Sequence, residues 1–180
     1  MKTKDILAVF KWVARVLYLG TLVWVLLLLA ISIHAFDLPS WMAAQNEAAE
    51  PLQRFRTHHP QQYFFFLGFT LLIAVLKLLL WKNITDVLEN IKMTNPFTSP
   101  VASKLENVGN LLVIICLISF LANLSLENIT QVMDVKSLTH NRLFNLNSDA
   151  SYLLYAGVVY VISKIFKRGV ELQQENELTI

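Results

Sequence analysis

YLLYAGVVYVISKIFKRGVELQQENELTI, residues 152–180, runs from an apolar stretch straight into a charged end with no domain between them. Residues 152–166 are apolar enough to enter a bilayer. Lys164, Lys167 and Arg168 mark the exit, and Glu171, Glu175 and Glu177 follow in a soluble tail. Such a junction puts the working parts of the protein in a membrane bundle and its rim. The same pattern recurs along the chain. Apolar runs at 16–36, 63–81 and 108–126 approach the ~20 residues a helix needs to cross ~30 Å of hydrocarbon. With 150–166 they make four spans, so the predicted fold is all-α, a four-span transmembrane helical bundle forming one membrane domain over 1–180.

Composition agrees. Of 180 residues, 55% are hydrophobic and only 16% charged, and a net charge of +2 gives no reason to expect direct nucleic acid binding. The single cysteine, Cys116, excludes an intrachain disulfide and reads as a buried structural thiol. Charge placement says more than charge count. Lys2, Lys4, Lys11 and Arg15 precede the first span, and Lys82, Lys92 and Lys104 separate the second from the third. The other connections, 37–62 and 127–149, hold Arg54, Arg56, Lys136 and Arg142. By the positive-inside rule both termini, the segment 82–107 and the tail 167–180 are cytoplasmic, and the two long connections lie outside. Trp12 and Trp81 then mark the inner interface and Trp41 the outer one. At 100° per residue, Lys4, Lys11 and Arg15 share one face of the lead-in helix. Ile6, Phe10, Val13 and Leu17 share the other, which is expected to face the bundle.

Between the second and third spans the pattern predicts a helical hairpin. Ile84, Leu88 and Ile91 keep one apolar face until Pro96 pushes the preceding residue out of helical geometry, placing the helix end near 94–97. A new helix is expected at once, with Ser99 as N-cap and Pro100 at N1, and with Val101, Leu105, Val108 and Leu112 recurring on one face. In the outer connection, Ser40 and Pro51 bracket an expected Ala-rich helix over 41–50. In the fourth span, Ala156 and Gly157 form a small pair that lets helices approach closely.

No catalytic constellation is present. The chain lacks Gly-x-Ser-x-Gly, His-Glu-x-x-His, a phosphate-cradling glycine loop and any metal-spaced Cys/His set, so no catalytic residue, cofactor or metal is expected. His58 and His59 are adjacent and point apart. Lys77 sits one turn before Trp81 and reads as snorkelling to the interface, with an ion-path residue as its other reading.

Two motifs on the cytoplasmic side belong together. The tip Asn95-Pro-Phe-Thr98 and the end Phe166-Lys-Arg-Gly-Val-Glu-Leu-Gln-Gln-Glu-Asn-Glu-Leu-Thr179 resemble the bacterial domain of unknown function 2975 family, and the span order matches over the whole chain. The resemblance implies a multi-pass bacterial cytoplasmic-membrane protein of unassigned biochemistry. Genes of the family often lie beside a small helix-turn-helix regulator, which implies a cytoplasmic DNA-binding partner. The expected function is therefore a non-enzymatic sensor or membrane partner of such a regulator. The alternative is a small transporter or channel subunit, and a homo-oligomer is compatible with both. Candidate partner-binding residues are Asn95, Pro96, Phe97, Arg168, Glu171 and Glu175. Phe97 is expected to pack under Val170 or Leu172, or else to dip into lipid headgroups. The tail reads as a docking edge or as a solvated helix end, and Gly169 as a bend at its base.

Overall fold

The computed structural model describes residues 3–33, 55–91, 96–130 and 151–177. The helix expected at 41–50, most of the second outer connection and Asn95 lie outside the described residues. Four long helices account for nearly everything described: α1 (Thr3–Ile33), α2 (Pro60–Asn90), α3 (Ser99–Thr130) and α4 (Ser151–Glu177). A short helical turn at 55–58 precedes α2, and there is no strand among the described residues. The fold is all-α.

Three of these helices are long and apolar enough to cross a membrane, over Asp5–Ala30, Pro60–Asn90 and Ser99–Ser125. Within α4 the apolar run 152–166 covers about 22 Å at 1.5 Å per residue, short of a ~30 Å hydrocarbon core. Helices in lipid must also satisfy their polar groups internally. The buried hydroxyls of Thr70, Thr85 and Ser163 do so by donating to carbonyls of Phe66, Trp81 and Tyr160 in their own helices, at 2.8, 2.9 and 2.7 Å.

The extensive packing follows chain order: α1 on α2, α2 on α3, and α3 on α4. This is more open than the closed bundle that four antiparallel spans suggest. Along α3, Val101, Val108 and Leu112 are buried as their spacing predicts, Leu105 is half-buried, and Ile115 and Ala122 extend the same row. Gly109 permits the tightest approach. A Cβ built there would lie 3.6 Å from the Ala156 oxygen and 3.6 Å from the Tyr160 nitrogen, so α4 runs almost against the α3 backbone. Ala156 is buried in that contact, whereas Gly157 faces open space. Close approach therefore uses Gly109 with Ala156, and not the expected Ala156–Gly157 pair.

Helix α1 is turned by roughly 70° from its expected orientation. Ile6, Phe10, Val13 and Leu17 are 40, 58, 39 and 40% exposed, while Ala14, Val25 and Leu28 are buried against the neighbouring helices. The physical reason is the solvent. Lipid is as apolar as leucine, so an apolar row there has little preference for the bundle, and the helix settles where Ala14 allows close approach.

The hairpin forms with two local shifts. α2 ends at Asn90 and Ile91 is extended, a few residues before the predicted end. There the Asn90 side chain donates to the Asp86 carbonyl at 2.7 Å, the local competition that makes Asn a poor interior helix residue. At the start of α3 the Thr98 carbonyl accepts from Ala102 N–H at 3.0 Å. Thr98 thus holds the cap position one residue before Ser99. At the opposite end, Phe55 is fully buried in a cluster with Val25, Phe66 and Ala122. It packs edge-on to Tyr63 and Phe66, with ring centroids 6.1 Å apart in both cases. Removing a buried aromatic leaves a cavity costing about 3–5 kcal/mol. Phe55→Ala is therefore expected to lower the thermal midpoint in mild detergent markedly, with Phe55→Leu losing much less.

Candidate functional site

Ion pairs between neighbouring helices collect at one end of the molecule. Arg15 of α1 meets Glu89 of α2 at 2.8 Å, and Asp86 of α2 meets Lys104 of α3 at 2.7 Å. Glu106 of α3 meets Lys164 of α4 at 3.2 Å, and the Lys164 ammonium also sits 4.8 Å from the Tyr160 ring centroid. All four helices are thus tied in sequence by one charged ring. The paired side chains are 31–58% exposed, so water and salt screen them and each pair adds little stability. Their importance is registry: they set the heights at which helices meet. Sequence reasoning missed these pairs, although Asp86 and Lys104 lie at similar distances either side of the Pro96 turn and an antiparallel hairpin brings such positions together.

Beyond the ring, the hairpin tip meets the tail. The Phe97 ring lies 5.1 Å from the Phe166 ring, tilted by 58°. A Cβ added to Gly169 would stand 2.6 Å from Phe97 Cδ1 and 2.8 Å from its Cγ. The aromatic ring therefore occupies the space a side chain at 169 requires. α4 continues without a break through Gly169 to Glu177, so Gly169 is the socket for Phe97 and not a bend. Tyr152, Ala156, Val159, Ser163, Phe166, Val170 and Gln173 turn inward at alternating spacings of four and three, and this row carries the helix past the rim. Phe97 thus meets the base of the tail through Phe166 and Gly169. Leu172 joins Phe97, Ile165, Gly169 and Gln173 around an open cleft of 490 Å³.

Of the predicted site residues, Arg168, Glu171 and Glu175 come together. Arg168 donates to Glu171 at 2.9 Å and reaches Glu175 at 3.8 Å. The Glu171 hydrogen bond first, then the charge of Glu175, holds the Arg168 pKa above its ordinary value. Phe97 is half-buried beneath the tail, while Pro96 lies in the extended lead into α3. A second, smaller cleft of 260 Å³ between α3 and α4 is lined by Ser99, Ser103, Glu106, Ser163 and Lys167. Among the described residues no cluster of His, Cys, Asp or Glu is arranged to hold a metal ion. Lys77 is half-buried in α2, and Cys116 half-buried in α3.

Residues 41–180 match the family model described as Protein of unknown function (DUF2975). The chain belongs to this family. No curated protein and no solved structure matches it. Within DUF2975, the segment matched here includes both the hairpin tip and the tail, the two parts joined by Phe97.

The ring-in-socket contact makes a sign-specific prediction. Ala in place of Gly favours a helix by about 1 kcal/mol, while overpacking costs about 1–3 kcal/mol. Gly169→Ala should therefore destabilise the wild type but stabilise a Phe97→Ala background. Thermal unfolding of the four proteins in one detergent, analysed as a double-mutant cycle, reads the reversal. Additive effects would reject the contact.

Proposed function

We propose that this DUF2975 protein is a non-enzymatic, four-span protein of the bacterial cytoplasmic membrane that presents its charged end to a small helix-turn-helix regulator. The orientation reading rests on charge. The end that holds the start of α1, the α2–α3 hairpin and the end of α4 carries Lys11, Arg15, Lys82, Lys104, Lys164, Lys167 and Arg168. By the positive-inside rule this end faces the cytoplasm and both termini are inside. α4 is read as the fourth span because Leu153, Leu154, Val158 and Val161 face away from α3 and suit lipid.

The observation that carries the docking role is the Phe97 socket. It holds the base of the tail against the hairpin, so that Glu171 and Glu175 stand in fixed positions with side chains 46 and 63% exposed. A solvated helix end needs no such fixture. With Arg168 between them, the two carboxylates form an acidic edge on a rigid support, suited to basic residues of a soluble protein.

In a Cys116→Ser background, Thr57→Cys should react with a membrane-impermeant maleimide in whole cells, and Ser103→Cys only after the membrane is opened. The reverse pattern would overturn the orientation.

Deleting 171–180 should leave membrane abundance unchanged, because no apolar run is touched, and should abolish co-purification of the regulator encoded beside the gene. Full retention by the truncated protein would sink the docking role.

A further inference from the structure

The face of α4 turned away from α3 carries a second apolar row that none of the described residues covers. Leu154, Val158, Val161 and Ile165 recur at helical spacing and are 66, 51, 58 and 58% exposed. Leu172 continues the row beyond the charged ring, beside the cleft over Phe97 and Gly169. At the other end of the packing order, α1 carries the uncovered row Ile6, Phe10, Val13 and Leu17. Within hydrocarbon such faces need no protein cover. Past the ring of ion pairs the surroundings are polar, and leaving Ile6, Phe10 and Leu172 bare there forgoes about 25 cal/mol per Å² of burial.

We infer that a second copy of the chain supplies the cover, with its α1 lying along the outer face of α4. Three observations select this occupant. First, α1 packs extensively only on α2, and α4 only on α3, so each copy has one free helix at either end of its row. Second, the ring crosses α1 at Arg15 and α4 at Lys164, and both helices run on past it to the same side. Copies sharing a bilayer share its depth, so the first turns of α1 stand level with the last turns of α4 in a neighbour. The two helices are antiparallel, and their rows at spacings of three and four can interdigitate. Third, the charges match only in this pairing. The first turns of α1 contain Lys4 and Lys11 against Asp5, whereas α4 after Arg168 contains Glu171, Glu175 and Glu177 with no cation. Pairing α1 with α1 opposes lysines, and pairing α4 with α4 opposes glutamates. The contact is therefore head-to-tail, a heterologous interface that closes into a ring when its rotation permits. It goes beyond the regulator reading in naming a second copy as occupant: Glu171 is turned about 100° from Leu172 around the helix, while Glu175, about 60° away, borders both surfaces.

The test uses the full chain in a Cys116→Ser background, in cells lacking the neighbouring regulator. Copies carrying Phe10→Cys and Leu172→Cys, separately tagged and co-expressed, are oxidised in native membranes. The expected result is a mixed cross-linked dimer, little dimer from either variant alone, and a ladder from a chain carrying both. Dimers of either single variant in excess of the mixed one overturn the inference, as does absence of the mixed dimer. Independently, the mass of the wild type in native lipid nanodiscs should be that of an oligomer, and Leu172→Glu should reduce it to one copy. A single-copy wild type also overturns the inference. Because no regulator is present, failure here is separate from failure of the docking role.

Discussion

Everything described in this protein depends on the loss of the usual sorting of side chains by polarity. Where lipid is the solvent, a leucine gains little by leaving it, so contact between helices is decided by which backbones can come close. Ala14, Ala74, Ala122 and Ala156 are buried, while many large apolar residues point outward. The approach at Gly109 follows the same rule, with the α4 backbone in van der Waals reach of a missing side chain. The order of packing, α1 to α2 to α3 to α4, is then a string of close contacts rather than a collapse around a single centre.

At the charged end the rule changes, because water competes again. There the helices are joined by Arg15–Glu89, Asp86–Lys104 and Glu106–Lys164, each weak in energy but specific in position. Just beyond them, shape takes over in the form of Phe97 set against Gly169. The surface proposed for docking thus rests on two kinds of support. The ion pairs set height, and the aromatic ring sets the direction of the tail.

Much of this was legible in the residues. The long apolar runs announced the helices, Pro96 announced the hairpin, and the spacing of Val101, Val108 and Leu112 named a buried row that the structure contains. An inward-facing apolar row in α1 follows from a rule suited to water, which loses force for Val13 and Leu17 near the hydrocarbon. Gly169 reads as a bend on propensity, a local quantity, while its role is set by Phe97, distant in sequence. Phe55 lacked any periodic signal, since a single residue in a connection announces nothing about the gap it fills.

The unbroken course of α4 has a mechanical consequence. A helix with a hinge at the membrane surface isolates what lies on either side, but one that runs through as a single rod conveys torsion. Turning the apolar part of α4 by one residue step sweeps Glu171 and Glu175 through about 100° around the same axis. The Phe97 ring resists that turn at the rim, as the Gly109–Ala156 contact and the Glu106–Lys164 pair do along the rest of the helix. Gly169 thus acts as a keyway: the Phe97 ring fills the space a side chain would take and fixes the angular setting at which the hairpin and the tail engage.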